Sequence, residues 1–253
     1  MKGRKGLTTY WIAIVLVCSC ILQVWGCAKN QARGAVSPAP APDTALRQPA
    51  KDTAVLRWLA LGDSYTIGQS VSEPERYPVQ AAGLLRGGGM NIKEPEIIAV
   101  TGWTTQNLLD AIKNKAAAPP YGIVSLLIGV NNQYQGRSLD EYKGQFTTLL
   151  TQSIQLAGGK PGHVIVLSIP DYSVTPFAAG YNRAAIARDI DAFNAANQQL
   201  SAQYQVLWLD ITAASRMAAG DKSLIAVDSL HFSGKEYGVW AGMLAPLIRQ
   251  AMQ

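Results

Sequence analysis

VLRWLALGDSYT, residues 55–66, decides the architecture. Leu56–Leu61 is a short, continuously apolar run, and Gly62-Asp63-Ser64 ends it in a strand-to-helix turn. The same unit returns along the chain, with strand candidates at Glu96–Val100, Ile123–Ile128, His163–Ile169 and Val206–Ile211. Helical patterns fill the gaps at Tyr77–Arg86, Gln106–Ala117, Leu139–Ala157 and Arg183–Tyr204, and a last one runs from Gly234 to Met252. Ser233 stands where a side-chain cap of that last helix is expected. The strand runs, such as VSLLIG and VIVLSI, are apolar throughout rather than alternating. Strands of that kind belong to a parallel sheet covered by helices on both faces. Alternation of strand and helix therefore predicts an open α/β sandwich of about five parallel strands.

Four blocks follow the strand runs: LALGDSYT around Ser64, VTGWTT around Gly102, LLIGVNN around Asn131 and DSLHFSG around His231. Ligands of open α/β sheets sit beyond the carboxyl ends of the strands. Ser64, Gly102 and Asn131 follow the first three strands, and Asp228 and His231 follow the fifth, so all four blocks map to that one edge.

Each residue has a chemical reading and a plain one. Ser64, at the strand-to-helix turn, is a nucleophile whose own N–H can meet an oxyanion, or a helix N-cap. Its surroundings lack the second glycine of a GxSxG elbow. Gly102 is a backbone N–H donor, or a turn glycine. The Asn131 amide is a third oxyanion donor, worth roughly 3 kcal/mol in the transition state, or it ties loop backbone together. The chain has two histidines. His163 precedes the fourth strand, on the wrong edge, which leaves His231 as the base if the site needs one. Asp228, three residues before it, can reach the imidazole and fix its tautomer, or the pair is a surface turn with a cap.

As an ordered set, Gly62-Asp63-Ser64, Gly102, Gly129-Val130-Asn131 and Asp228-Ser229-Leu230-His231 resemble the blocks of the SGNH/GDSL hydrolase family, over about Leu56 to Gly238. The resemblance implies a flavodoxin-like three-layer α/β/α sandwich and a Ser–His–Asp ester hydrolase without metal or organic cofactor. It makes Ser64 the nucleophile, His231 the base and Asp228 its partner. The Ser64 and Gly102 N–H groups and the Asn131 amide become the oxyanion hole. The residue after that asparagine is often Asp in the family and is Asn132 here, which touches loop support more than chemistry. Tyr65, Trp103, Asn132, Gln133 and Tyr134, beside the blocks, are the expected substrate contacts. The loops after strands one and three are short and polar, with no long apolar lid. This favours small acyl groups on a polar carrier such as a glycan. A lysophospholipase or thioesterase-type acylhydrolase and a non-catalytic glycan-binding module on the same fold are the alternatives.

Outside that domain, MKGRKG precedes an apolar run from Tyr10 to about Trp25 and then Gly26-Cys27. The segment resembles a bacterial lipoprotein signal, with 1–26 removed and Cys27 lipidated; an uncleaved anchor or simple secretion are the other readings. Each places the domain outside the cytoplasm, and the first tethers it to a membrane of the cell envelope. Residues 27–54, with SPAPAP, form a Pro/Ala-rich linker to a folded domain at 55–253. The three cysteines, Cys18, Cys20 and Cys27, all precede the domain, so it has neither a disulfide framework nor a thiol nucleophile. The formal charge of +5 is carried partly by Lys2, Arg4 and Lys5, and no run of like charges suggests a nucleic-acid partner.

Overall fold

The computed structural model describes residues 55–115 and 118–253. The expected signal segment, the expected lipidation site Cys27, the expected linker and the last positions of the Gln106–Ala117 pattern lie outside them.

Five strands form one parallel sheet: β1 (Trp58–Gly62), β2 (Glu96–Ala99), β3 (Ile123–Leu127), β4 (Val164–Leu167) and β5 (Leu207–Leu209). Their order across the sheet is β2-β1-β3-β4-β5. This is the flavodoxin-like order. All four pairings are parallel, with β1 held between β2 and β3. Every residue of β1, β3 and β4 is buried, as their unbroken apolar runs require, while the edge strand β5 is half-exposed. The one polar residue inside β3, Ser125, accepts from the Trp58 indole at 3.0 Å, so the centre of the sheet carries no unpaired hydroxyl.

Among the described residues, eight α-helices surround the sheet: α1 (Ser64–Ile67), α2 (Tyr77–Gly87), α3 (Thr105–Asn114), α4 (Val130–Tyr134), α5 (Leu139–Leu156), α6 (Arg183–Gln203), α7 (Thr212–Arg216) and α8 (Gly234–Ala251). α2 packs on α8, whereas α3, α5 and α6 pack side by side. Right-handed crossovers place these two groups on opposite faces, giving the three layers. α3 begins one residue before its pattern suggests and ends short of it. Thr104 and Asn107 form a capping box at its start, and Lys115 has already left helical geometry. Ser233 occupies the N-cap position of α8 but does not cap it; its hydroxyl donates to the Ser223 carbonyl at 2.7 Å. His163 closes a 3-10 turn entering β4, at the amino edge.

The exits of the strands are pinned. Asn194 of α6 exchanges two bonds with the Ile169 backbone, accepting at 2.7 Å and donating at 2.9 Å, in the manner of a neighbouring strand. Asn197 links Asn194, the Tyr142 hydroxyl and the Trp208 indole in the same buried layer.

Candidate active site

β1 delivers its last residue, Gly62, to the carboxyl edge, and the chain turns directly into α1. Asp63 is the N-cap there: its Oδ1 accepts from the Tyr65 N–H at 3.1 Å. Ser64 is the first helical residue, so its hydroxyl is not used in capping and its N–H has no intrahelical acceptor. The Ser64 hydroxyl takes part in no hydrogen bond among the described residues, and the side chain faces a cavity. The N-cap reading of this serine therefore belongs to its neighbour. Asp63 is 1% exposed and its Oδ2 is unpartnered. Burial lifts its pKa to about 7, against the pull of the Tyr65 N–H.

Gly102 turns the chain after β2 at φ +86, a conformation that side chains rarely adopt, with open space where a Cβ would be. Gly129, at φ +133, enters α4 after β3, and a Cβ there would meet Ile169 and Tyr142 at 2.7 Å. That tight turn sets Asn131 as the second residue of α4, where its Nδ2 donates to the Trp103 carbonyl at 2.9 Å. An amide nitrogen carries two protons, so the bond to Trp103 fixes the plane and leaves the second proton for the cavity that Asn131 lines.

After α7 the chain returns across the edge as a tight loop. Ala226 N–H donates to His231 O at 2.8 Å, and Ser229 sits at φ +65. Asp228 Oδ1 accepts from the Leu230 and His231 N–H groups at 3.0 and 2.9 Å, and its Oδ2 meets His231 Nδ1 at 2.6 Å. Desolvation alone would raise the Asp228 pKa. The hydrogen bonds from Ser70, the two N–H groups and the imidazole outweigh it and hold the carboxylate at about 2. The imidazole is braced from below by the Tyr65 ring, edge-on at 5.6 Å, within a buried cluster of Tyr65, Phe232 and Trp240.

Ser64, Asn131 and His231 thus line one cavity of about 240 Å³. Ser64 and His231 share it without a direct hydrogen bond, a contact that commonly tightens only around substrate. A hydroxyl, an Asp-oriented imidazole and the Asn131 amide on one cavity, which Gly102 does not line, form an arrangement suited to acyl transfer. Among the described residues, no cluster of His, Cys, Asp or Glu is arranged to hold a metal ion, and no helix is long and apolar enough to cross a membrane.

Of the five expected substrate contacts, Tyr65 and Tyr134 line the cavity, the first as a buried wall and the second half-exposed at the rim. The other three do not line it. Asn132 is fully buried, its Oδ1 accepting from the Thr105 N–H at 3.0 Å and its Nδ2 donating to the Thr105 hydroxyl at 2.7 Å. It ties α4 to the start of α3 and cannot meet substrate. Trp103 is partly buried against the core, and its carbonyl accepts from Asn131 Nδ2. Gln133 is occupied at both ends, donating to Asp189 at 3.2 Å and accepting from the Tyr172 hydroxyl at 2.9 Å.

The remaining wall comes from Val130, Leu230 and a segment that sequence reasoning passed over, with Tyr172 and Phe177 after β4. That segment is two successive 3-10 turns, Tyr172–Val174 and Pro176–Gly180. Arg216 holds its start through the buried Asp171 at 2.8 Å, Arg183 donates to Thr175 O at 3.0 Å, and Phe177 N–H donates to Ser229 O at 3.0 Å. The available signal was DYSVTPFAAGY at 171–181, an aromatic-rich stretch leaving a strand at the same edge.

The profile of a family described as GDSL-like Lipase/Acylhydrolase matches residues 60–239. Comparison with curated proteins gives no match. Among solved structures, a variant of an acetyl xylan esterase from Geobacillus stearothermophilus aligns with TM-score 0.61 at 21% identity, over 78% of this chain and 96% of that one. A lipase/acylhydrolase from Enterococcus faecalis aligns with TM-score 0.60 at 17% identity, over 79% and 98%. The psychrotrophic esterase EstA from Pseudoalteromonas sp., inhibited by monoethylphosphonate, aligns with TM-score 0.57 at 16% identity, over 77% and 97%. The structural likenesses carry the fold; with the family profile spanning most of the chain, the protein belongs to the GDSL-like lipase/acylhydrolase family and is a serine ester hydrolase.

Proposed function

We propose that this domain removes small acyl groups from a polar carrier such as a glycan, with Ser64 as nucleophile, His231 as base and Asp228 as the partner of His231. The observation that carries the reading is the shared cavity of Ser64, Asn131 and His231, behind which Asp228 holds His231 Nδ1 at 2.6 Å. Ser64 Oγ attacks the ester carbonyl and gives its proton to His231 Nε2. The oxyanion rests on the Ser64 and Gly102 N–H groups and the Asn131 amide. The alcohol departs with the proton from His231, and water then cleaves the acyl-enzyme by the same route. Ser64→Ala abolishes hydrolysis of p-nitrophenyl acetate and leaves the thermal melt intact; wild-type turnover in that variant would sink the assignment.

Tyr134 and Tyr181, each 50% exposed, support the polar carrier: flat rings with hydroxyls at the rim suit a sugar face. The fold likeness to an acetyl xylan esterase agrees with this choice. The apolar walls at Val130, Phe177 and Leu230 favour a second reading, a medium-chain acylhydrolase. A series of p-nitrophenyl esters separates the two: activity concentrated on acetate supports the first, and a rise at medium chains the second. The N-terminal sequence supports export and a lipid tether at Cys27. Palmitate labelling that survives Cys27→Ser would overturn the tether.

A further inference from the structure

We propose that Ser70 is a positioning residue of this site, holding the Asp228 carboxylate toward His231 and tying the acid–base loop to the turn that carries Ser64. Its hydroxyl donates to Asp228 Oδ2 at 2.6 Å, the same oxygen that meets His231 Nδ1. Asp228 Oδ1 is anchored by two backbone N–H groups, and on Oδ2 the Ser70 hydroxyl is the one partner besides His231 among the described residues. Ser70 therefore adds a side-chain restraint, from a different loop, to the oxygen that faces the imidazole.

The backbone around Ser70 is shaped for this contact. Ser70 sits at φ +66, a conformation uncommon for any residue but glycine, and it follows Gly68 at φ +72. The Gln69 N–H donates to Ser64 O at 2.9 Å, folding the turn back onto the nucleophile's own backbone. Gln69 Oε1 accepts from the Thr101 hydroxyl at 2.7 Å, next to Gly102. Two adjacent side chains thereby reach from the Ser64 turn to the Gly102 loop and to the Asp228 loop. The second of these contacts spans 158 residues of sequence.

This inference rests on the Ser64, Asp228 and His231 roles proposed above. Its test is Ser70→Gly, which removes the hydroxyl while suiting the positive φ, so the fold is kept. The readouts are kcat and KM on p-nitrophenyl acetate, the thermal melt, and the His231 Nδ1 proton resonance, which is assignable because the chain has two histidines. We expect kcat to fall about tenfold, the lower range for a small misplacement of a catalytic group. KM and the melting temperature stay at or above wild-type values, and the proton signal moves. A kcat within twofold of wild type overturns the assignment, as does a fall in kcat with the signal unmoved. Asp228→Ala run in parallel separates the layers. If it retains turnover, the triad reading fails; if it is inactive while Ser70→Gly is wild type, only the Ser70 assignment falls.

Discussion

Asn131→Ala isolates one oxyanion donor, and its size can be worked from the geometry. One Nδ2 proton is committed to the Trp103 carbonyl at 2.9 Å, and the other is available to the cavity shared with Ser64 and His231. Truncation removes the second donor from the transition state. Loss of one such donor costs about 2.7–4 kcal/mol, or about two to three decades in kcat. KM changes by no more than a few-fold, because the bond forms to the oxyanion and only weakly to the ground-state carbonyl. The lost bond to Trp103 costs about 1 kcal/mol of stability, a fall of about 2–4 °C in Tm for a domain of this size. Asn131→Asp is the harsher companion, since it removes both donors and adds negative charge where the oxyanion develops. Steady-state kinetics on p-nitrophenyl acetate, normalised by active-site titration, read the effect. A folded Asn131→Ala enzyme with kcat within about fivefold of wild type would refute the role, because one donor at this position supplies far more than that.

Asp63 titrates near 7 when folded, against 3.8 when exposed, so folding favours its protonated form. Its contribution is fully present below about pH 4 and is lost as pH rises through 7. Asp63→Asn keeps an acceptor for the Tyr65 N–H and removes the ionisation, so its Tm relative to wild type climbs between pH 4 and pH 8, by the equivalent of a few kcal/mol; a pH-independent difference would contradict this. Asn132→Ala leaves the buried Thr105 N–H without its acceptor and costs about 1–3 kcal/mol in urea denaturation. Asn132→Asp keeps an acceptor for that N–H but sets a buried carboxylate oxygen against the Thr105 hydroxyl, which already donates to Gln145, so it costs at least as much as Asn132→Ala; the reverse ranking would refute the account. Phe177→Ala widens the cavity while its backbone bond to Ser229 persists, so hexanoate gains on acetate in kcat/KM; an unchanged ratio would place Phe177 outside the acyl path.

The legible part of this chain was the part written in local patterns. Largely apolar runs marked all five strands, and their order along the chain placed Ser64, Gly102, Asn131 and His231 on one edge. Local pattern failed where an element is too short to show a period. α1 and α4 are four and five residues long, fixed by the Asp63 cap and the Gly129 turn rather than by amphipathicity. It failed also where a side chain's direction depends on distant partners. Asn131 and Asn132 are adjacent and chemically identical, yet one faces the cavity and the other is sealed against Thr105. Helical geometry turns successive residues about 100° apart, so adjacency in sequence separates them in space. Tyr172 and Phe177 escaped notice because 3-10 turns carry neither helical nor strand periodicity.

The position of His231 follows from topology. β1 lies between β2 and β3, so the chain leaves β1 toward one side of the sheet and later crosses to the other. The crevice opens where those connections diverge, and Ser64 and Asn131 stand at the exits of the two strands that border it. β5 is three places away, and a loop that stayed near its exit could not reach Ser64. The loop is drawn back because α8 must cover the face that α2 shares. Tyr77 of α2 meets Tyr237 and Trp240 of α8, and Gln80 donates to Gly234 O at 2.8 Å. That packing sets where α8 begins, and His231 is three residues before its first turn. The apolar contacts that close the second layer of the sandwich thus also carry the imidazole across the edge to the nucleophile.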